Sequence, residues 1–235
     1  MKLLKAVLAV AGIGVMVGFL YAAGRLSGWD IPVAAGVYLL ALGLQLIAHE
    51  AGHFLGGVCS GYRLLLLQLG ALRIEKRPGE KCRLSWERSL AGQCIMIPKN
   101  AEKVAFRAYN LGGIGANFLV MALGSGLLLC QWFYGQMLFV ALVAVGLQKI
   151  LANSIPDLSD GSPNDGYVLW LLRKKEVRKD YALYLQLYEK LYWEEAVDPA
   201  AFTYERQPAA SEAELLYYHE IQDILGDCKK TPMEI

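Results

Sequence analysis

The sequence of 235 residues is apolar, with 55% hydrophobic and 19% charged residues and a formal net charge of only +1. This length suffices for one membrane domain with a small appendage, and the lack of a basic excess excludes nucleic acid as a partner. The cysteines are odd in number and form no C-x-x-C pair, so we predict free thiols without disulfide partners. They are Cys59, Cys82, Cys94, Cys130 and Cys228.

The first apolar run, residues 6–24, is uncharged and follows Lys2 and Lys5. The small residues at its end would also suit a cleaved signal peptide. The run is longer than the usual apolar core of a signal peptide, and three further apolar runs follow it. We therefore predict the first transmembrane helix here.

The second apolar run, residues 31–58, has Glu50 as its only charged residue and predicts a second span. It contains the motif His49-Glu50-x-x-His53. On a helix the two histidines leave the same face about one turn apart, where they can hold one tetrahedral Zn²⁺. Glu50 then lies beside the metal and can take a proton from the attacking water. Such short motifs also arise by chance, but an ionisable side chain inside a span is expensive and by default functional.

A polar and basic segment, residues 61–107, separates the second span from the third. Residues 64–75 and 81–87 flank a Pro78-Gly79 turn, which predicts a β-hairpin, with residues 93–97 as a candidate third strand. The hairpin can serve as a lid on the membrane surface, or one of its edges can pair with an extended substrate. The sequence leaves both interpretations open.

Residues 109–133 and 137–153 predict the third and fourth spans. Ten lysines and arginines lie in residues 61–107 and five in residues 173–179, whereas the loops of the opposite side hold only Arg25. Because basic residues favour the cytoplasmic side, we predict an integral, multi-pass membrane protein whose N-terminus, hairpin insert and C-terminal tail are cytoplasmic.

A catalytic zinc site needs a third protein ligand and an open position for water. His49 lies about 27 Å along the second span, just inside the cytoplasmic face, and the fourth span reaches a similar level after about 24 Å. The stretch that follows, residues 153–167, contains Asp157, Asp160 and Asp165. One of these aspartates could complete the site, and the others would be polar residues of a turn.

The C-terminal tail is polar and helical in pattern. Apolar and aromatic residues recur at spacings of three and four over residues 181–192, which predicts an amphipathic helix ended by Asp198-Pro199. Ser211 and Glu214 have the spacing of a capping box for a second helix, to about residue 225. We predict a small cytoplasmic cap of two packed helices, with a docking module for a partner or substrate as the alternative.

Two motifs of the chain resemble those of the site-2 protease family of intramembrane zinc metalloproteases. The family combines an H-E-x-x-H span with a later Asn-x-x-Pro segment that leads to an Asp-Gly pair. The matching positions are His49, Glu50, His53, Asn153, Pro156 and Asp165-Gly166, within residues 31 to about 172. The resemblance implies a Zn²⁺ cofactor, a membrane-embedded peptide or transmembrane protein as substrate, contact with the lipid bilayer and, we expect, a bacterial plasma membrane.

In that family the aspartate completes the zinc shell and usually lies eight residues after the asparagine. Here Asp160 follows Asn153 by seven residues and Asp165 by twelve, so the loop is altered. We favour Asp165 as the metal ligand, because Gly166 and the residues after it run straight into a helix, as in the family. Asp160 is kept as the alternative metal ligand.

A weaker match lies in the third span, where Gly113-Ile114-Gly115-Ala116-Asn117 resembles the family's Gly-Pro-x-x-Asn, with isoleucine in place of proline. Asn117 lies about 12 Å in from the cytoplasmic end of the span. From that depth its amide could reach a bound peptide or the developing oxyanion. Asn153 is the second candidate for such a contact.

The sequence thus predicts a mainly α polytopic membrane protein of about four transmembrane helices, with a small cytoplasmic β-hairpin insert and a C-terminal helical cap. Residues 1–172 would form the metalloprotease core and residues 173–235 the cytoplasmic tail. The predicted function is a zinc metalloendopeptidase that cuts its substrate near the cytoplasmic face. A non-hydrolytic zinc protein that binds membrane peptides is the alternative, although Glu50 has no purpose there. A zinc transporter is disfavoured because the outer halves of the spans offer almost no ligands.

Overall fold

The computed structural model is mainly helical and contains one small antiparallel sheet. It describes residues 2–26, 28–89, 91–100, 105–129, 132–158, 162–204 and 211–230. Within these residues, four helices are long and apolar enough to cross a membrane, as predicted. They are α1 (Lys2–Ala22), α2 (Asp30–Cys59), α3 (Phe106–Gly124) and α4 (Phe133–Ser154). Their composition is compatible with a membrane protein, and their orientation stays a prediction.

The third of these helices is shorter than the sequence predicted. α3 ends at Gly124, and Ser125–Leu129 form a 3-10 turn instead of continuing the helix to residue 133. Glycines flank Ser125, and its hydroxyl donates to the Ala122 carbonyl at 2.6 Å. Both features weaken a helix at this point. α4 accordingly begins at Phe133, ahead of the predicted start at residue 137.

The insert between α2 and α3 forms a sheet with the strand order β3-β2-β1-β4. The strands are β1 (Tyr62–Leu69), β2 (Leu72–Glu75), β3 (Arg83–Trp86) and β4 (Gly92–Pro98). The predicted third strand is confirmed as β4, which pairs with β1. The prediction of one continuous strand over residues 64–75 is wrong, because the chain reverses at Gly70. Its φ of +63° lies in the left-handed region that glycine tolerates, and β1 and β2 form a hairpin of their own.

Two of the three apolar clusters in the described part of the chain hold these elements together. One lies among α1, α2 and α4 and has Met16 and Met137 in its centre. The other joins the sheet to the start of α3 and to the tail, and includes Leu65, Tyr109 and Tyr181. The tail helices therefore share an apolar core with the sheet.

The predicted tail helices are confirmed, with different ends. After the short α5 (Asp165–Leu171), α6 spans Lys175–Tyr192 and α7 spans Leu216–Lys230. Asp198 caps a separate 3-10 turn, so α6 ends before it. Ser211 makes no capping bond to the backbone; its hydroxyl donates to the Glu214 carboxylate at 3.4 Å, and a 3-10 turn precedes α7.

The cysteines agree with the prediction of free thiols as far as the structure describes them. Cys59 and Cys82 are exposed and Cys94 is buried, and none of the three has a disulfide partner in the described part of the chain. Cys130 and the side chain of Cys228 lie outside the described residues.

α2 and α3 pack with their backbones in direct contact. A Cβ added at Gly52 would lie 2.2 Å from the Gly112 carbonyl oxygen, and one added at Gly56 would lie 2.2 Å from the Ala108 carbonyl oxygen. Small residues four apart on one helix allow this close approach. The contact holds α3 against the motif-bearing part of α2.

We expect Gly52→Ala to destabilise the protein, because the added methyl group would push the backbone of α3 away. Overpacking of this kind costs about 1 to 3 kcal/mol, and thermal unfolding of the metal-free protein in detergent would measure the loss. Gly43→Ala is the matched control, since a Cβ at Gly43 in the same helix meets nothing within 4 Å. Equal unfolding temperatures for the two variants would contradict the backbone contact.

Candidate metal centre

The predicted residues His49, His53 and Asp165 lie together in the structure. The two Nε2 atoms are 3.1 Å apart, and each faces one oxygen of the Asp165 carboxylate at 3.3 Å. Bonds of about 2.0 to 2.1 Å to a tetrahedral metal separate neighbouring ligand atoms by about 3.3 Å. The spacing of the three side chains therefore fits one metal ion.

The far nitrogen of each imidazole is held by a carbonyl oxygen. His49 Nδ1 lies 2.8 Å from Asn117 Oδ1, and His53 Nδ1 lies 2.8 Å from the carbonyl oxygen of Tyr109. A carbonyl oxygen only accepts hydrogen bonds, so both Nδ1 atoms carry the proton. In neutral imidazoles the Nε2 atoms then present lone pairs to one another and to the carboxylate.

The converging lone pairs and carboxylate form a place that a cation could occupy. Asp165 Oδ2 is buried and has no hydrogen-bond donor among the residues that the structure describes. The three side chains form a group that could hold a metal ion. Imidazole and carboxylate ligands suit several divalent metals, so the geometry by itself does not select one.

Asp165 is brought to the histidines by the start of α5. Asn164 is the N-cap of this helix, and its Oδ1 accepts from the Tyr167 amide at 2.9 Å. Its Nδ2 donates to the carbonyl oxygens of Ala152 and Ile155, each at 2.7 Å. One asparagine side chain thus fastens the beginning of α5 to the end of α4. The helix predicted to follow directly on the Asp-Gly pair is confirmed, and it begins at Asp165.

Gly166 allows the same two helices to meet closely. A Cβ at this position would lie 2.3 Å from the Ser154 carbonyl oxygen. The buried face of α5 carries Val168 and Leu171 into the cluster under the sheet. The Asp-Gly pair therefore combines a candidate ligand with the close contact that positions it.

Gly113 of α3 provides the space that the two imidazoles occupy. A Cβ there would lie 2.5 Å from His53 Nε2 and 2.6 Å from His49 Cε1. The glycine noted in the sequence as part of a weak motif thus has a steric function beside the candidate ligands.

Glu50 is buried next to the sheet. A Cβ at Gly92, the first residue of β4, would lie 2.6 Å from Glu50 Oε1 and 2.7 Å from Leu46 Cδ1. Glycine at position 92 therefore leaves room for the Glu50 carboxylate in this place. The start of β4 therefore lies beside the residue predicted to act as the base.

The two asparagines proposed for substrate contact have other partners in the structure. Asn117 is fully buried, its Oδ1 faces His49, and its Nδ2 donates to the side chain and backbone of Gln45. The Asn153 amide donates to the Lys149 carbonyl oxygen of its own helix at 3.0 Å. A role of either residue at the oxyanion stays untested, and the geometry of Asn117 supports a role in orienting His49.

Of the other two aspartates of the loop, Asp157 lies at the turn before α5 and contacts α1. Asp157 is buried and pairs with Lys5 of α1, with 3.3 Å between Oδ2 and Nζ. Its backbone N–H donates to Asn164 Oδ1 at 3.0 Å, so it belongs to the turn before α5. Asp160, the alternative ligand, lies outside the described residues.

Sequence reasoning missed Gln45 and the anchoring contacts of Asn164. A single amide in an apolar span, four residues before His49, was the available signal for Gln45. An asparagine directly before a helix is a strong capping signal, but its bonds to α4 depend on the fold.

Comparison of the chain with family models, with curated proteins and with solved structures finds no match.

Proposed function

We propose that the protein is a zinc-dependent endopeptidase of the membrane, which hydrolyses a peptide bond of a membrane-embedded substrate near the cytoplasmic face. The observation that carries the proposal is the convergence of His49, His53 and Asp165, with Glu50 next to His49 in an apolar helix. The resemblance of both motifs to the site-2 protease family supports it.

Zinc is the metal that best suits these ligands in a hydrolase. Two imidazoles and one carboxylate form a three-ligand set of the kind that catalytic zinc uses, with a fourth position left open. All three side chains are on or next to apolar helices, and a redox-inactive metal avoids side reactions there. A bound zinc ion would polarise the substrate carbonyl and lower the pKa of water.

Glu50 is the proposed general base. Its carboxylate takes a proton from the attacking water, whose oxygen forms the new bond to the carbonyl carbon. The C–N bond then breaks, and the nitrogen leaves with the proton that Glu50 carried. The Glu50 carboxylate lies against Gly92 at the start of β4.

The substrate would reach the site as an extended strand. β4 is an edge strand of the sheet, and it starts beside Glu50. A peptide added to such an edge gains backbone hydrogen bonds without requiring a particular sequence. Of the two roles considered for the insert, strand pairing is therefore favoured over a simple lid, and helical substrates must unwind before cleavage.

We expect Gly92→Ala to lower peptidase activity by about 100-fold, a typical cost of displacing a catalytic group by about 1 Å. The new methyl group would displace the flexible end of Glu50, whereas the three atoms nearest to it belong to Glu50 and Leu46 and not to the metal ligands. Metal content and thermal unfolding are therefore expected to stay at the wild-type level. Gln93→Ala, at the exposed next residue, is the control and should keep its activity. Loss of metal in Gly92→Ala would contradict this separation of roles.

The membrane orientation can be tested with a thiol that the protein already has. Cys82 is exposed in the insert that we place in the cytoplasm. In intact cells expressing Cys130→Ser, a membrane-impermeant maleimide is expected to leave the protein unlabelled, and to label it once the cells are opened. Labelling of Cys82 in intact cells would reverse the topology.

The function itself is best tested in the membranes of cells that produce the protein. Glu50→Gln keeps the metal ligands and removes the base, so substrates are expected to accumulate uncut in its presence. Quantitative proteomics of new peptide termini would then find fragments ending at the cytoplasmic boundary of a span in wild-type cells only. Identical termini in both strains would count against a peptidase and favour a protein that binds membrane peptides without cutting them.

A further inference from the structure

Gln45 forms a fully buried link between three helices. It lies on α2, four residues before His49, and neither it nor Asn117 has any exposed surface. Gln45 Nε2 donates to the Leu142 carbonyl oxygen of α4 at 3.0 Å. Asn117 Nδ2 of α3 donates to Gln45 Oε1 at 2.6 Å and to the Gln45 carbonyl oxygen at 2.7 Å.

The donor and the acceptor of each of these hydrogen bonds are fixed by the chemistry of the partners. The Leu142 carbonyl oxygen can only accept, so it must face the Gln45 NH₂ group and not its oxygen. Gln45 Oε1 is then turned towards Asn117, whose NH₂ group must face it. Asn117 Oδ1 consequently faces His49 Nδ1, which has to donate. The orientation set at Leu142, together with the Gln45 backbone carbonyl oxygen that also accepts from Asn117 Nδ2, is thereby passed to the imidazole.

The opposite orientation would be incompatible with a metal at His49. If Asn117 presented its NH₂ group, His49 Nδ1 would have to accept, and the proton would move to Nε2. That proton would point at His53 Nε2, which is only 3.1 Å away. No lone pair of His49 would then be available as a ligand.

Gly146 makes room for the first bond of the series. A Cβ at Gly146 would lie 2.7 Å from Gln45 Nε2, and 2.3 Å from Met121 Sδ. Gly146 is four residues after Leu142 on α4, so its missing side chain exposes the Leu142 carbonyl oxygen to a neighbouring helix. In apolar surroundings an unpaired amide group is costly, which keeps each of these groups in its place.

We propose that Gln45 is a positioning residue which, through Asn117, holds His49 in the tautomer and orientation that bind the metal. The proposal rests on the metal site of the proposed function. It assigns a role at that site to a residue that contacts neither the metal nor the substrate. Groups that support a ligand in this way typically contribute about 10 to 100-fold to metal affinity.

The test is zinc binding by the purified, metal-free, full-length protein in detergent, measured by competition with a chromophoric chelator. Gln45→Met removes both amide bonds at similar volume, and Gly146→Ala displaces the amide while keeping it in the sequence. Each is expected to weaken zinc binding by about 10 to 100-fold at one site per chain. Gly43→Ala is the control on α2, because a Cβ there meets nothing within 4 Å.

A rescue distinguishes orientation from packing. In Gln45→Met combined with Asn117→Asp, a protonated carboxyl group replaces the amide: its hydroxyl donates to the backbone carbonyl oxygen of residue 45, and its other oxygen accepts from His49 Nδ1 without the Gln45 side chain. Zinc affinity is therefore expected to return towards the wild-type value, and the visible spectrum of bound Co²⁺ should return with it. A purely structural role of Gln45 would leave the double variant as weak as the single one.

The outcomes separate this inference from the proposed function. Wild-type affinity in both Gln45→Met and Gly146→Ala would overturn the role of Gln45 and leave the metal site intact. A wild-type protein that binds no zinc would overturn both. If Gln45→Met fails to fold, Gly146→Ala decides alone, and unchanged affinity in it overturns the role of Gln45.

Discussion

Asp165→Ala is expected to release the metal and abolish activity, whereas Asp160→Ala is expected to keep the metal and reduce activity only in part. Asp165 contributes both of its oxygens to the group around the two imidazoles, at 3.3 Å from each Nε2. Loss of this side chain should therefore weaken metal binding by more than the roughly 10 to 100-fold that results from changing a residue around a ligand. Metal analysis of the purified variants, followed by titration with zinc, measures the difference.

Asp157→Ala is a useful control for the loop as a whole. Asp157 is hydrogen-bonded to Asn164 through its backbone, and its carboxylate pairs with Lys5. We expect this variant to bind metal. The reverse order, with metal lost in Asp160→Ala and kept in Asp165→Ala, would make Asp160 the ligand and reduce Asp165 to a helix-starting residue.

Gly113→Ala is expected to cause the largest loss of metal binding of any substitution outside the ligands. Its methyl group would occupy space within 2.5 to 2.6 Å of atoms of both imidazoles. The ring ends can move more easily than the backbone, so the rings would be displaced while the helices stay in place. We predict that zinc affinity falls by about 100-fold or more, at or beyond the upper range for changes around a ligand.

Gly115→Ala is the matched control for this prediction. It lies two residues further along α3, and a Cβ there meets nothing within 4 Å. Its zinc affinity is expected to equal that of the wild type, and its unfolding temperature is expected to be no lower. Equal zinc affinity in Gly113→Ala would mean that the imidazoles do not bind metal in the arrangement described.

The parts of the site that could be predicted are those with a local pattern. The spacing of His49 and His53 places both rings on one helix face whatever surrounds them. The length of the apolar runs predicts four helices. Asp165 was favoured from the helix that follows it, and the structure places its carboxylate against both histidines.

The parts that could not be predicted depend on contacts between distant elements. Gln45 looks like one tolerated amide in a span until Asn117 and Leu142 are found beside it, 72 and 97 residues away in sequence. The sequence places Asn117 at a depth that fits a substrate contact, which stays a prediction, and the same depth fits the contact with His49 that the structure has. Depth along a helix does not determine which neighbour a side chain meets.

The sheet illustrates the same limit for local structure. Residues 64–75 resemble one strand because leucine and isoleucine dominate them and Gly70 is the only glycine or proline among them. A glycine inside a strand pattern fits a bulge as well as a turn. Leu69 pairs with Leu72, so the chain turns at Gly70 and β1 and β2 form a hairpin. On its other side β1 pairs with β4, whose first residue, Gly92, lies beside Glu50.

The most direct test of a zinc hydrolase is cleavage by the purified protein in liposomes made up in ¹⁸O-labelled water. The substrate is a membrane protein found by the comparison of wild type with Glu50→Gln, and the products are read by mass spectrometry. We predict that zinc-loaded wild type cuts it near the cytoplasmic boundary and that the new carboxyl terminus carries the label. Glu50→Gln with the same zinc content should leave the substrate whole. Equal cleavage by Glu50→Gln, or by wild type stripped of metal, would contradict the account.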